Sequence, residues 1–193
     1  MSQAIIIENI ENAAVLRFNR PAIKNPLSIE TLERLEEIFT SLESNSKIEK
    51  IIFTGSGGTF ASGANLNEIA RLDAVTAREF GLRGQNFMQR VCHSNKLTIA
   101  AVDGFCMGGA LDLAASCKKR IASPRSVFAH PGVSLGIMTG WSGTQILPRL
   151  IGEARALEMF LTAKRVDAGE ALRINLIDEI SENPLDEAKN MLI

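Results

Sequence analysis

The sequence predicts an α/β protein whose sites lie at the carboxyl ends of its strands. Three observations carry that prediction. Short apolar runs rich in Ile, Val and Ala recur along the 193 residues, each followed by a loop and then by a segment with helical spacing. Two of these runs lead directly into glycine-rich loops that open helices. The composition, 46% hydrophobic and 22% charged, supplies a real core, and the length fits a single domain over residues 1–193.

The elements follow in order. "AIIIENIENAAVLRFN" (residues 4–19) predicts a hairpin turning near Glu11 and Asn12. "NRPAIKNPLS" (19–28) is a loop fixed by Pro21 and Pro26. Ser28 is placed to cap a helix running to about Ser44, with Leu32, Leu35, Phe39 and Leu42 on one face. "KIIFT" (50–54) is a buried strand that runs into "GSGGTFASGANL", with a helix starting near Asn65 and a longer one over 76–91. "LTIAAV" (97–102) is a second buried strand, entering "DGFCMGGALDLAA" and a helix that begins near Gly108. "KRIAS" and "SVFAH" are short strands. The pattern after Gly140 is helical to about Thr162; a short helix at "DAGEALRI", a strand at "LIDEI" and a terminal helix at "PLDEAKNMLI" complete the chain.

Several function classes are excluded. A net charge of −1 leaves no basic field for nucleic acid or an anionic membrane. With aromatics at 5% and no tyrosine there is no stacking platform for bases. Cys92, Cys106 and Cys117 are odd in number and form no C-x-x-C pair, which points to neither a disulfide framework nor a zinc site and fits a reducing cytoplasm. The first fifteen residues turn acidic too soon for a signal peptide. The longest apolar region, 97–115, is interrupted by Asp103, Asp112 and three glycines, so it predicts a buried segment and not a membrane span.

The first glycine-rich loop is not a phosphate-binding loop, because no Gly-Lys-Ser/Thr follows Gly63. Nor is it a dinucleotide fingerprint: after Gly55 and Gly57, position 60 is Phe. Each loop alone reads as a tight turn needing positive φ. Two such loops, each at a strand-to-helix junction, offer a pair of backbone N–H groups from separate segments, which is what an oxyanion hole requires.

These motifs resemble one family. "FASGANLNEI" is similar to the Ala-Gly-Ala-Asp-Leu loop of the crotonase superfamily, the enoyl-CoA hydratase/isomerase family. "LTIAAVDGFCMGGALDLAASCKKRIAS" resembles its second signature, and "NRPAIKNPLS" its CoA loop. "GWSGTQILPRLIGEARALEMFLTAKRVDAGEALRINLIDEI" is similar to its Gly-Thr-Gln-Arg-Leu-Pro-Arg segment and the residues after it. The resemblance implies a crotonase-like (ClpP/crotonase) spiral of ββα units, an acyl-CoA thioester substrate, no cofactor or metal beyond the substrate's own CoA, and a homotrimer or hexamer. By motif position it assigns the oxyanion-hole N–H groups to Ala64 and Gly109. It gives the pantetheine grip to Asn65, Leu66 and Asn67, and contact with the CoA nucleotide to Ile23 and Lys24.

The sequence also departs from the family. Enoyl-CoA hydratases use two glutamates. The first position is Asp112 here, one methylene shorter, and the second is Gly132 in "HPGVSLG". Syn-hydration needs a base for water and an acid for carbon, so Asp112 would do both jobs. Its alternative role is a cap near a helix start. His130, two residues before the vacant position, is either a hydrogen-bonded structural group or a second catalytic group. Dihydroxynaphthoyl-CoA synthases of the same superfamily carry Gly at this point and recruit bicarbonate, so Gly132 is expected to leave room for water or a small anion. Trp141 replaces a small residue and either reshapes the acyl pocket or packs. Cys106 and Met107 are read as lining or core. Asp103, Glu68 and Asp73 are read as structural, the last two on a helix facing solvent, and His93 as a helix C-terminal charge. The C-terminal helical segment is expected to be shortened. Hydratase-type chemistry through a thioester enolate is the leading reading. The alternatives are enoyl-CoA isomerisation, acyl-CoA decarboxylation, or acyl-CoA binding without catalysis.

Overall fold

The structure, a computed structural model, describes residues 3–192; Met1, Ser2 and Ile193, the last of the expected terminal helix, lie outside the described residues. Strands β1 (Ile5–Ile10) and β2 (Ala13–Phe18) form the expected antiparallel hairpin, with Glu11 in a positive-φ turn. Helix α1 (Ile29–Ser44) starts where Ser28 Oγ accepts the Thr31 N–H at 3.1 Å, and it buries Leu32, Leu35, Ile38, Phe39 and Leu42.

From there the chain repeats a strand, a second short strand and a helix. The first repeat is β3 (Lys50–Gly55), β4 (Thr59–Ala61), then α2 (Leu66–Ile69) and α3 (Ala74–His93). The second is β5 (Leu97–Val102), β6 (Phe105–Met107) and α4 (Gly109–Ser116). The third is β7 (Lys119–Ala122), β8 (Val127–Ala129), a 3-10 turn (Pro131–Leu135) and the helices α5 (Gly143–Ile151) and α6 (Glu153–Thr162). A closing set comprises β9 (Val166–Asp167), α7 (Ala168–Arg173), β10 (Glu179–Ile180) and α8 (Pro184–Asn190).

The long strands make a six-stranded sheet in the order β1-β2-β3-β5-β7-β10, parallel from β2 onward. The short strands make a separate four-stranded sheet, β4-β6-β8-β9. Each turn of the spiral therefore contributes one strand to each sheet before its helix. The sequence pattern missed β4, β6 and β9, because two or three residues beside glycine-rich turns show no alternation. It also ran α5 and α6 together. They break at Gly152, whose φ of +86° leaves the helical region.

One face of the large sheet carries the main core, where Phe39, Phe53 and Phe87 pack ring against ring at 5.7–6.5 Å. On the other face Ala188 of α8 packs with Val15, Ile52, Ile99 and Ile121. Lys50 fastens that helix: its buried ammonium donates to the carbonyls of Lys189 at 2.6 Å and Met191 at 3.0 Å, at the α8 C-terminus. Replacing Lys50 by Met is expected to cost about 1.5–3 kcal/mol, the range for hydrogen bonds to a charged group, measured as a lower urea midpoint at unchanged slope.

One reading needs correction. Glu68 does not simply face solvent: its carboxylate accepts the Ile29 N–H at 2.9 Å and ties α2 to the start of α1. Asp73 is the N-cap of α3, in a reciprocal capping box with Thr76. His93, in the last turn of α3, holds the Gln89 carbonyl through Nδ1. No helix among the described residues is long and apolar enough to cross a membrane.

Candidate active site

The two glycine-rich loops meet backbone to backbone. The first is anchored from behind: the Leu27 N–H donates to Gly63 O at 2.8 Å, and the Ser62 N–H donates to Lys24 O at 3.0 Å. Gly63 has φ +87°, and a Cβ there would stand 2.5 Å from Met107 O and 3.0 Å from Gly109 N. The next N–H on the first loop is that of Ala64, and on the second the N–H of Gly109, the first residue of α4. No backbone acceptor takes up either group among the described residues. Both residues line one cavity of about 310 Å³. The α2–α3 side supplies Leu66, Ile69, Leu72 and Phe80, and the facing wall is the segment from His130 to Trp141. A pair of free donors at the mouth of a buried helix is a site for developing negative charge on oxygen.

Asp112 lies one turn into α4 with its side chain fully buried. Thr139 Oγ1 donates to its Oδ2. The Gly143 N–H faces the carboxylate, and a Cβ at Gly143 would stand 2.0 Å from Oδ1, so no side chain fits at that position. Burial pushes the Asp112 carboxyl up to about 7, against the pull of the Thr139 and Gly143 contacts.

His130 follows β8, lines the cavity and packs its ring 5.0 Å from that of Phe160. Its Nε2 lies 3.2 Å from Asp112 Oδ1. Burial lowers the imidazole to about 4, so it is neutral at pH 7 and the contact is not an ion pair. Neither Nε2 nor Oδ1 has a hydrogen-bond partner among the described residues when the acid is ionised, because the approach does not follow an N–H direction. His130 is therefore not held as a satisfied structural group through this nitrogen.

Gly132 lines the same cavity but does not leave the expected room along its missing side chain. A Cβ there would stand 2.6 Å from the Ile137 carbonyl oxygen, and the Ile137 N–H donates to Gly132 O at 3.0 Å. Backbone fills the direction in which a second acid would project.

Trp141 is buried between α3 and α4. A Cβ at Gly84 would meet its ring at 2.0 Å and one at Gly109 at 2.3 Å, while its indole N–H donates to Phe80 O at 3.3 Å. It both packs and walls the cavity.

A second cavity, about 440 Å³, shares Ser62 and Pro131 with the first and is lined by Lys24, Phe105 and Arg165. The Lys24 ammonium stands 5.7 Å over the Phe105 ring. The structure thus gathers Ala64, Leu66, Gly109, Asp112 and His130 around one space and puts Lys24 in the adjoining one. Ile23, 60% exposed, lines neither, and nor do Asn65, which N-caps α2, or Asn67. Cys106 is buried core and Met107 lines the second cavity. Asp103 pairs with Arg125 at 2.7 Å. Thr139 carried no signal in the sequence: it stands 27 positions from Asp112 in a loop with no motif of its own. No group of three or more His, Cys, Asp or Glu that could hold a metal occurs among the described residues.

Comparisons with known proteins point to one family. The model of the family described as enoyl-CoA hydratase/isomerase matches residues 8–190. The chain is 40% identical to a crotonyl-CoA hydratase of Syntrophomonas wolfei, over 97% of this chain and 73% of that one. It is 37% identical to a short-chain-enoyl-CoA hydratase of Clostridium acetobutylicum, over 92% and 69%. The crystal structure of an enoyl-CoA hydratase from Thermoplasma volcanium superimposes with a TM-score of 0.92 at 34% identity, covering 97% of this chain and 75% of that one.

Proposed function

The chain belongs to the enoyl-CoA hydratase/isomerase family and has its crotonase-like fold, and from that premise we propose that it hydrates 2-enoyl-CoA thioesters through an enolate held by the Ala64 and Gly109 N–H groups. The observation that carries this reading is the contact of the two loops: free N–H donors from separate segments open on one cavity beside a buried carboxylate. Water adds to Cβ, the π electrons move onto the thioester oxygen, and the two donors stabilise that charge. A single donor of this kind is worth about 2.7–4 kcal/mol of barrier. Asp112 takes the proton that water loses and returns it to Cα. His130 serves as a neutral neighbour, its Nε2 packed 3.2 Å from Asp112 Oδ1 without a hydrogen bond.

The base must be ionised to accept a proton. Asp112 titrates at about 7 and His130 only at about 4. The kcat for hydration is therefore expected to fall as pH drops below about 7, with one protonation, in a pH series on crotonyl-CoA. A flat profile down to pH 5 would remove Asp112 as the base.

The cavity is at the small end of the range for ligand sites, and Trp141 walls it. This supports a short acyl chain, as the names of the two relatives say of those proteins. Trp141→Leu is expected to raise kcat/KM for a ten-carbon enoyl-CoA, relative to crotonyl-CoA, by about tenfold or more, since each added buried methylene is worth about 0.8 kcal/mol. An unchanged ratio would release Trp141 from this role.

The adjoining cavity with Lys24 and Arg165 suits the phosphorylated part of CoA, with no cofactor or metal needed beyond the substrate itself. Leu157 and Leu161 on α6, with Val133 and Met138, form exposed apolar surface that supports assembly as a homotrimer or hexamer, in a cytoplasmic setting.

A further inference from the structure

The carboxylate assigned as base borders the cavity but offers no accessible surface to it. The Asp112 side chain has no exposed surface. Its Oδ1 is buried against Gly143 and His130, and His130 Nε2 is buried as well. The position of a second acid is closed by the Ile137 carbonyl. One hydroxyl stands between the accessible space and the carboxylate: Thr139 lines the cavity, is only partly buried, and donates to Asp112 Oδ2. Its methyl group faces Gly143, where a Cβ would lie 3.0 Å away. Ser62, the other side-chain hydroxyl lining this cavity, makes no contact with Asp112 among the described residues.

We propose that Thr139 is a catalytic residue that relays the proton between the substrate and Asp112, an inference that rests on the enolate reading above. In the addition step the water oxygen bonds to Cβ and its O–H breaks. That proton goes to Thr139 Oγ1 while the hydroxyl proton of Thr139 passes to Asp112 Oδ2, and the π pair moves onto the thioester oxygen. In the second step Asp112 returns its proton to Oγ1, Thr139 releases one to Cα, and the enolate pair forms the Cα–H bond. One water is consumed, and both side chains end as they began.

The test uses two readouts on the full chain: crotonyl-CoA hydration, and exchange of the α-protons of butyryl-CoA in D2O, which needs the enolate and the relay but no hydration. Thr139→Val keeps the packing methyl and removes the hydroxyl. It is expected to lose about 100-fold or more in both rates, with butyryl-CoA binding unchanged by calorimetry. Thr139→Ser should restore most of each rate, and adding Asp112→Asn to Thr139→Val should cost little further, because the two act as a unit. Thr139→Ala serves in the same comparison should the valine variant not fold. Wild-type rates in the hydroxyl-free variants would overturn the relay. So would a serine variant as impaired as valine, or a wild type that binds butyryl-CoA without exchange. Exchange by the wild type without hydration of crotonyl-CoA would instead overturn the hydratase reading and leave the relay standing.

Discussion

Asp112→Asn is expected to lower kcat for crotonyl-CoA hydration by about 10²–10⁴-fold, the usual contribution of a positioned acid–base group. The change keeps the shape of the side chain and its acceptor oxygen toward Thr139, so the loss falls on proton transfer and not on binding. Stability should move the other way. The folded carboxyl titrates at about 7, above the roughly 3.9 of a free aspartate. Between these values the folded state binds the extra proton, so Asp112 makes the protein less stable as pH rises toward 7, and the full cost is present above it. Asparagine avoids that cost. At pH 8 the variant should therefore unfold at an equal or higher temperature than wild type while losing activity. His130 has the opposite sense. Its lowered imidazole costs stability as pH falls from about 6.5 toward 4, so in wild type the two slopes largely cancel over that window. In Asp112→Asn the His130 slope should appear alone, as a steeper loss of stability on acidification.

The second large effect is at Gly63. Its φ of +87° costs a residue with a side chain about 1–3 kcal/mol. The larger consequence is geometric. An alanine Cβ would stand 2.5 Å from Met107 O, closer than real contacts allow, and a tight 3.0 Å from Gly109 N, so the two loops must part. The Ala64 and Gly109 N–H groups would then no longer converge. Gly63→Ala is expected to reduce kcat by about 10²–10³-fold, the loss of one oxyanion donor. Acyl-CoA binding should weaken far less, because the transition state depends on the donors more than the bound substrate does. A variant that folds, binds and turns over at the wild-type rate would separate the loop contact from catalysis.

These two positions also show what the sequence could and could not disclose. Ser28, the apolar face of α1 and the strands at 50–54 and 97–102 were legible because each obeys a local rule of capping or burial. The second sheet was not, since β4, β6 and β9 are two or three residues long and are fixed by their neighbours in space. Asp112 and His130 could be named from motif positions. Their 3.2 Å approach could not, because it arises where α4 and the end of β8 are brought together by the spiral. Thr139 left no trace, as its partner is far along the chain. Gly132 misled in an instructive way: an absent side chain suggested space, and the turn from Pro131 folds back so that the Ile137 backbone occupies it.

The most direct test of the oxyanion-hole account tracks crotonyl-CoA with the wild-type protein, by loss of absorbance of the conjugated enone across pH. The account predicts turnover to the hydrated thioester, with kcat falling below about pH 7 as Asp112 takes up its proton. Acyl-CoA bound in calorimetry with no decay of the enone at any pH would contradict it.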